Sequence, residues 1–364
     1  MKKVLIICHH RPGRSPGQRF RFEQYLDHLR ENGFDCKMSY LLNEKEDRTF
    51  YSKGKFLKKF LIYSKTLLKR TGDWFGMKQY DIIFIFRDAL MTGSTFFEKR
   101  FARSGAKIIF DFDDAIWIQG VSEANKRLSF LKNAGKTGTI IRLSDLIFAG
   151  NQYLADYAAQ FNKNIVIVPT TIDTAVYVPV KKEEGERPVC IGWSGSFSTI
   201  QHFALAIPSL KRIKEKYGSK VKFKIIGDPG YYCKELETQG EPWVSTTELE
   251  DLAKIDIGVM PLPDDEWAKG KCGLKGLQYM ALGIPTLMSP VGVNTEIIQN
   301  GVNGYLPATE DEWVNDISRL VDNKEDRIKM GAAGRQTVVD HYSVDAWKNK
   351  YVEYFNRLTQ KKQP

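Results

Sequence analysis

The sequence is poor in cysteine and histidine. Its five cysteines, Cys8, Cys36, Cys190, Cys233 and Cys272, are odd in number, scattered and free of any C-x-x-C pair. That argues against a disulfide framework and a zinc site, and it fits a reducing cytoplasm. The five histidines offer one cluster, His9–His10. Adjacent residues on a strand point to opposite faces, so the pair is a poor start for a metal site. There is no run of 18 apolar residues, hence no expected transmembrane helix. The opening MKKVLIICHHRPG has too short an apolar run and no small-residue cleavage site for a signal peptide, and it reads as a first β-strand. Internal repeats and low-complexity tracts are missing. So are zinc-finger, RRM-like and helix-turn-helix patterns, and nucleic acid is not an expected partner.

What is present is an ordinary globular composition, 42% hydrophobic and 27% charged over 364 residues, a length that favours two domains. The net charge of +10 favours an anionic partner. Much of the lysine lies in residues 51–80, where Phe56, Phe60, Tyr63 and Leu67 recur at helical spacing with Leu57, Leu61 and Leu68 beside them. A basic amphipathic helix over 55–70 suits an anionic membrane surface. The other reading is a helix packed on a sheet with its lysines solvated.

Apolar strands alternate with helical stretches throughout. VLIICHH, CKMSYLL, DIIFIF, KIIFDFD, LIFAG and IVIVP read as strands in the first half, and VCIGWSG, VKFKIIGD, IGVMPL and PTLMSP in the second. QRFRFEQYLDHLRENG, the 122–142 region, FALAIPSLKRIKEKYG and TELEDLAKI read as helices. This alternation predicts an α/β fold of doubly wound parallel sheets, and so many strands need two of them. The divide falls in PTTIDTAVYVPVKKEEGERP, residues 169–188, which lacks periodicity. The expected organisation is a domain over 1–173, a linker over 174–188, a second domain over 189–343, and a final segment over 344–364. Two such domains can face each other across a cleft with their strand ends, where ligands bind in open sheets.

Two motifs carry chemistry. The first is GKCGLKGLQYMALGIPT, 270–286. Leu274, Leu277, Met280 and Ala281 share one apolar helix face, and Gly283 with Pro285 ends the helix. A helix start offers free N–H groups and partial positive charge, Gly273 admits a ligand to the backbone, and Lys271 and Lys275 add cations. The combination suits a phosphate, and Gln278 suits a hydroxyl one turn on. The alternative is a surface helix with solvated lysines. The second motif is KIIFDFDDAIW, 107–117, with Asp111, Asp113 and Asp114 at the carboxyl end of a strand. Three carboxylates so close repel unless cations attend them.

The chain resembles the glycosyltransferases of the GT-B fold, family 4. VPTTIDTAVYVP resembles that family's interdomain segment, with Thr171 where glycine is usual; IGWSGSFST resembles the glycine turn opening the second domain; LKGLQYMALGIPTLMSPVGVNTEIIQNGVNGYL resembles its most diagnostic stretch. VKFKIIGD, LEDLAKIDIGVMPLP and MGAAGRQTVVDHYS match further pieces in order. The resemblance implies two Rossmann-like domains, a final helix crossing back to the first, and a nucleotide diphosphate sugar as donor with no metal or other cofactor. It implies that Lys275, with Lys271 and the backbone at Gly273 and Leu274, holds the diphosphate, that Gln278 holds the ribose, and that Gly195, Ser196, Ser198, Thr199 and Gly227 line the nucleotide pocket. Gln278 and Gly270, eight residues earlier, stand where glutamates are common. In the first domain Arg14, Gly17, Gln18 and Arg19 would approach donor or acceptor, with a helix from about Arg19. Asp113 or Asp114 would face the sugar or act as base beside Lys275. Retention, a glycan or lipid-linked acceptor and cell-surface polysaccharide assembly at the inner face of a membrane follow as expectations. Two other readings stand: a Mg²⁺-dependent phosphohydrolase of the haloacid-dehalogenase kind with Asp111 as nucleophile and Asp113 beside it, although Ala115 replaces its threonine, and a non-catalytic nucleotide-sugar or glycan-binding protein of the same fold.

Overall fold

The apolar runs of the first half fold into β1 (Lys2–Ile7), β2 (Phe34–Ser39), β3 (Ile82–Phe86), β4 (Lys107–Phe112), β5 (Leu146–Ala149) and β6 (Ile165–Ile167). In the computed structural model, which describes residues 1–52, 54–118, 133, 135–180, 187–196 and 199–360, they form one parallel sheet in the order β2-β1-β3-β4-β5-β6. All five residues of β3, IIFIF, are buried. A parallel strand covered on both faces needs a continuous apolar run rather than alternation, and that is what the sequence supplies. β1 stops at Ile7, so His9 and His10, expected within the strand, lie in the loop beyond its carboxyl end.

The second half forms β7 (Val189–Ser194), β8 (Val221–Ile226), β9 (Tyr232–Cys233), β10 (Thr238–Glu241), β11 (Ile257–Met260) and β12 (Thr286–Met288), ordered β12-β11-β7-β8-β10-β9. The pairing is parallel except between β9 and β10. Sequence reading misses those two edge strands, because YC and TQGE show neither an apolar run nor alternation. In each sheet the strand order reverses beside the first strand of its half. The crevice for ligands is therefore expected at the carboxyl ends of β1 and β3, and of β7 and β11.

The chain divides into two compact units, Met1–Pro169 with Lys348–Pro364, and Thr170–Trp347. Residues 174–180, expected as linker, belong to the second unit, where Arg335 donates to the carbonyls of Thr174 (3.1 Å) and Tyr177 (2.7 Å). The remainder of the expected linker, 181–186, lies outside the described residues, as does most of the helix expected over 122–142. In the first unit Tyr351 stacks on Tyr25 at 4.3 Å, and Phe355 meets Phe34 and Phe84, so the last helix completes that core.

The helix Phe56–Gly76 is anchored in an unusual way. Its buried residues are Thr66 and Arg70, while Phe56, Leu57, Phe60, Leu61, Leu68 and Phe75 are exposed. The Arg70 guanidinium, fully buried, donates to the carbonyls of Cys8 (2.7 Å), Ser39 (3.0 Å) and Ala89 (2.7 Å) and to Asp73 (2.8 Å). The helix is thus held to the sheet by Arg70 with Lys58, Lys65 and Lys69 exposed, as the packed-helix reading expects, while its exposed phenylalanines leave the membrane-surface reading open. No helix among the described residues is long and apolar enough to cross a membrane.

Candidate active site

In the second unit the loops that leave β7 and β11 bring the phosphate-binding candidates to one end of the sheet. Gly273 is the N-cap of the helix Leu274–Ala281, with φ +69°. A Cβ there would lie 2.4 Å from Ile297 Cδ1, so glycine is required by both conformation and space. The helix is fixed by Tyr279, whose hydroxyl accepts the Ser194 N–H at 2.7 Å and lies 3.1 Å from Ser194 Oγ. Burial pushes that phenol up to about 12, so it stays a neutral fastener. Lys275 Nζ sits 5.3 Å from the Trp193 ring centre and Lys271 Nζ 3.3 Å from that of Trp267. Aromatic faces attract ammonium groups through the ring quadrupole, which holds both side chains in place.

The glycine turn departs from expectation. Gly227, at φ +135°, packs so tightly on the loop that a Cβ would lie 2.3 Å from the Gly195 carbonyl oxygen. Thr199 Oγ1 accepts the Ser196 N–H at 3.0 Å and donates to the Ser196 carbonyl at 3.2 Å. Its hydroxyl is thus spent in closing its own loop and does not point a donor at a phosphate. Ser198 lies outside the described residues. Gln278 is buried, and its amide nitrogen faces Tyr177 Oη (3.1 Å) and Glu248 Oε1 (3.3 Å). Glu248 also accepts from Tyr177 (2.8 Å) and from Trp243 Nε1 (2.9 Å). Gln278 is therefore limited to accepting through its Oε1, which has no hydrogen-bond partner among the described residues. The amide cannot also donate to a ribose, since Tyr177 and Glu248 already hold it.

In the first unit the three aspartates part company. Asp111 is wholly buried and receives Arg21 Nε at 3.3 Å together with Nη2. Burial raises its pKa and Arg21 offsets part of the rise. A carboxylate sealed in an ion pair cannot reach a phosphate, so Asp111 is not a nucleophile and the phosphohydrolase reading falls. Asp113 and Asp114 stay partly accessible, and Arg87 pairs with Asp113 at 2.7 Å and approaches Asp114 at 3.9 Å. Arg87 holds φ +63°, a strained conformation for an arginine, fixed by its N–H donating to the Asp111 carbonyl at 2.8 Å. The Gly17 position is close to this pair, since a Cβ there would lie 3.0 Å from Asp113 Oδ2.

Two other loop candidates, Gln18 and Arg14, hold the loop itself. Gln18 is fully buried and staples the loop, its Oε1 accepting the His10 N–H (2.9 Å) and its Nε2 donating to the His10 carbonyl (2.8 Å) and Glu23 (3.0 Å). Arg14 Nε pairs with Asp47 at 2.5 Å. The helix expected from Arg19 begins at Pro16, and Arg19 lies over the Phe20 ring at 5.0 Å. Beyond Arg87, Asp88 approaches His9 at 2.5 Å and Lys136 at 2.8 Å. Burial would raise the Asp88 pKa, but its contacts with His9 and Lys136 hold it at about 2. A cavity of about 170 Å³ opens here, lined among others by Arg87, Asp88, Thr92, Trp117 and Lys136, with Trp117 stacked on Tyr157 at 3.6 Å.

Residues 188–323 match the family described as Glycosyl transferases group 1. The second unit is a group 1 glycosyltransferase domain. Solved structures agree in fold over the whole chain. Sucrose-phosphate synthase from Thermosynechococcus elongatus superposes with a TM-score of 0.69 at 12% identity, covering 98% of this chain and 99% of its own. HepE from Anabaena, in complex with UDP-glucose, gives 0.67 at 13% identity with 98% and 100% covered. A lipopolysaccharide outer core galactosyltransferase gives 0.62 at 14% identity with 98% and 99% covered. At such identities the likeness establishes the GT-B architecture alone. No curated protein sequence matches the chain.

Sequence reasoning misses four residues that the structure brings to the candidate sites. Tyr177 and Glu248 join Gln278 from distant segments, Arg87 joins Asp113, and His202 stacks on Trp267 at 5.0 Å. Only Arg87 leaves a local signal: it follows a buried strand directly, where α/β sites gather.

Proposed function

We propose that this group 1 glycosyltransferase, family 4-like and retaining, transfers a sugar from a nucleoside diphosphate sugar to a glycan or lipid-linked acceptor in cell-surface polysaccharide or glycoconjugate assembly. The observation that carries the donor half is Gly273 at φ +69° heading an eight-residue helix with Lys271 and Lys275 beside it. N–H groups and two ammoniums at one helix start stabilise a departing diphosphate. Gln278 Oε1 and the Tyr177–Glu248 pair would meet the ribose hydroxyls, with Gly195, Ser196, Gly227 and Leu274 lining the nucleotide. UDP is the favoured nucleoside diphosphate, since a structure of the same fold is titled as a complex with UDP-glucose.

The acceptor half rests on the first unit. Asp113 and Asp114, accessible and oriented by Arg87, would bond sugar hydroxyls or take the acceptor's proton, with Gly17 leaving room. The exposed Phe60 and Leu61 among Lys58, Lys59 and Lys65 favour an anionic lipid surface for Phe56–Gly76, as a protein peripheral at the inner face of the membrane would need.

The test is a thermal-shift panel of UDP, GDP and ADP and their sugars, followed by product analysis. A shift with one nucleotide that is lost in Lys275→Ala, with sugar transfer at retained configuration, is the expected result. Binding without transfer would favour a non-catalytic nucleotide-sugar-binding protein, and no shift at all would end the donor reading. Cosedimentation with phosphatidylglycerol vesicles at low salt tests the membrane part, which fails if the protein stays in the supernatant.

A further inference from the structure

His202, on the short helix Ile200–Phe203, is 7% exposed, and its Nε2 is buried with no hydrogen-bond partner among the described residues. Buried polar atoms are almost always bonded, so an unsatisfied one asks for an absent partner. Its ring lies nearly parallel to Trp267 (18°), the same ring that carries Lys271. The charged groups facing it are Lys275, Lys271 and Asp265. Burial first, then the two lysines, push the imidazole pKa below its ordinary value, while Asp265 opposes them. The free protein therefore holds a neutral imidazole beside two ammoniums, with one nitrogen unfilled.

We propose that His202 is a proton-linked ligand of the donor diphosphate: as the nucleoside diphosphate binds, Nε2 takes a proton from solvent and donates it in a hydrogen bond to a phosphate oxygen. The inference rests on the donor-site reading above. An arriving anion neutralises the field of Lys271 and Lys275 and adds its own, so the imidazolium becomes the favoured form in the complex. When the nucleotide leaves, the proton returns to solvent. No bond other than N–H is made or broken. His202 would thus supply the third positive charge only while the phosphates are present, and the empty site would not have to hold three adjacent cations.

The test is calorimetry of the full chain with UDP, GDP and ADP at pH 7.5, in buffers of differing ionisation enthalpy. The dependence of observed heat on buffer counts protons taken up. Wild type is expected to take up roughly half a proton or more, and affinity is expected to rise about twofold or more per pH unit on going from pH 8.5 to 7.5, the slope being set by that uptake. His202→Gln is expected to lose the uptake and to bind several-fold more weakly. If that variant does not fold, His202→Asn takes its place. Nucleotide binding by wild type with no proton uptake overturns the inference and leaves the donor site standing. Uptake that persists in the variant also overturns it, since the proton then belongs elsewhere. Absence of any nucleotide binding overturns the donor reading itself, and the inference with it.

Discussion

Removing one partner of the Arg21–Asp111 pair should cost the first unit several kcal/mol, and the two removals should differ in their pH dependence. Both side chains are essentially inaccessible, and Arg21 also donates to the Val168 carbonyl. Stripping one charge from such a pair leaves the other uncompensated, at about 3–5 kcal/mol. Asp111→Asn strands the guanidinium, which stays charged at every accessible pH, so its deficit persists across the range. Arg21→Met strands a carboxylate whose pKa burial already raises, and loss of Arg21 raises it further. A carboxyl that binds its proton more tightly folded than unfolded gains stability as pH falls toward the unfolded value near 4. The Arg21→Met deficit should therefore shrink, by up to about 1.4 kcal/mol per pH unit, as pH falls through the range where the variant's folded carboxyl is protonated and the wild-type one is still ionised. Hydrogen exchange of the β3 and β4 amides under mild denaturant reads the opening free energy of this unit directly. Losses under about 1 kcal/mol in both variants, or an Arg21→Met deficit identical at pH 7 and pH 5, would refute the reasoning. If the proposed sugar transfer holds, folded Asp111→Asn should also keep it, because the Asp111 carboxylate is fully buried against Arg21.

Lys275→Ala should weaken UDP binding about 10–100-fold, the worth of one charge-assisted contact, with little change in melting temperature. Gly273→Val should lose both stability, by about 1–3 kcal/mol, and nucleotide affinity, since it forces a side chain into a positive-φ position against Ile297; an unchanged melting temperature would contradict this. Asp88, held at about 2 against an ordinary 3.8, contributes about 2 kcal/mol that is present above pH 4 and lost as pH falls through 2. Asp88→Asn should accordingly be less stable at pH 7, and its acid unfolding should lack that part of the wild-type slope in exchange measurements on β3.

The fold is legible because parallel strands write themselves as uninterrupted apolar runs: IIFIF and KIIFDF admit no other placement once helices alternate with them. The edge strands β9 and β10 escape because two and four residues with mixed polarity carry no period. In the candidate donor site, the helix start at Gly273 and Lys275 is visible in the sequence because a helix start is a local event. Gln18, Arg14 and Thr199 have the right chemistry for a ligand, and the fold spends it on holding their own loops. Which polar groups are spent is decided by partners such as Asp47, far apart in the chain, and spacing cannot announce it. The same applies to Gln278, whose amide is claimed by Tyr177 about a hundred positions away.

Arg70 sets a distance. One guanidinium ties off the chain at Cys8, Ser39 and Ala89, just where β1, β2 and β3 end. The helix Phe56–Gly76 and those three strand ends therefore shift together or not at all. Whatever holds the outward phenylalanines of that helix also fixes how high Arg87 and Asp113 stand above it. On the proposed reading of a bilayer in that role and a lipid-linked acceptor, the protein would act as a gauge, selecting acceptors by the length of the stalk that presents their hydroxyl.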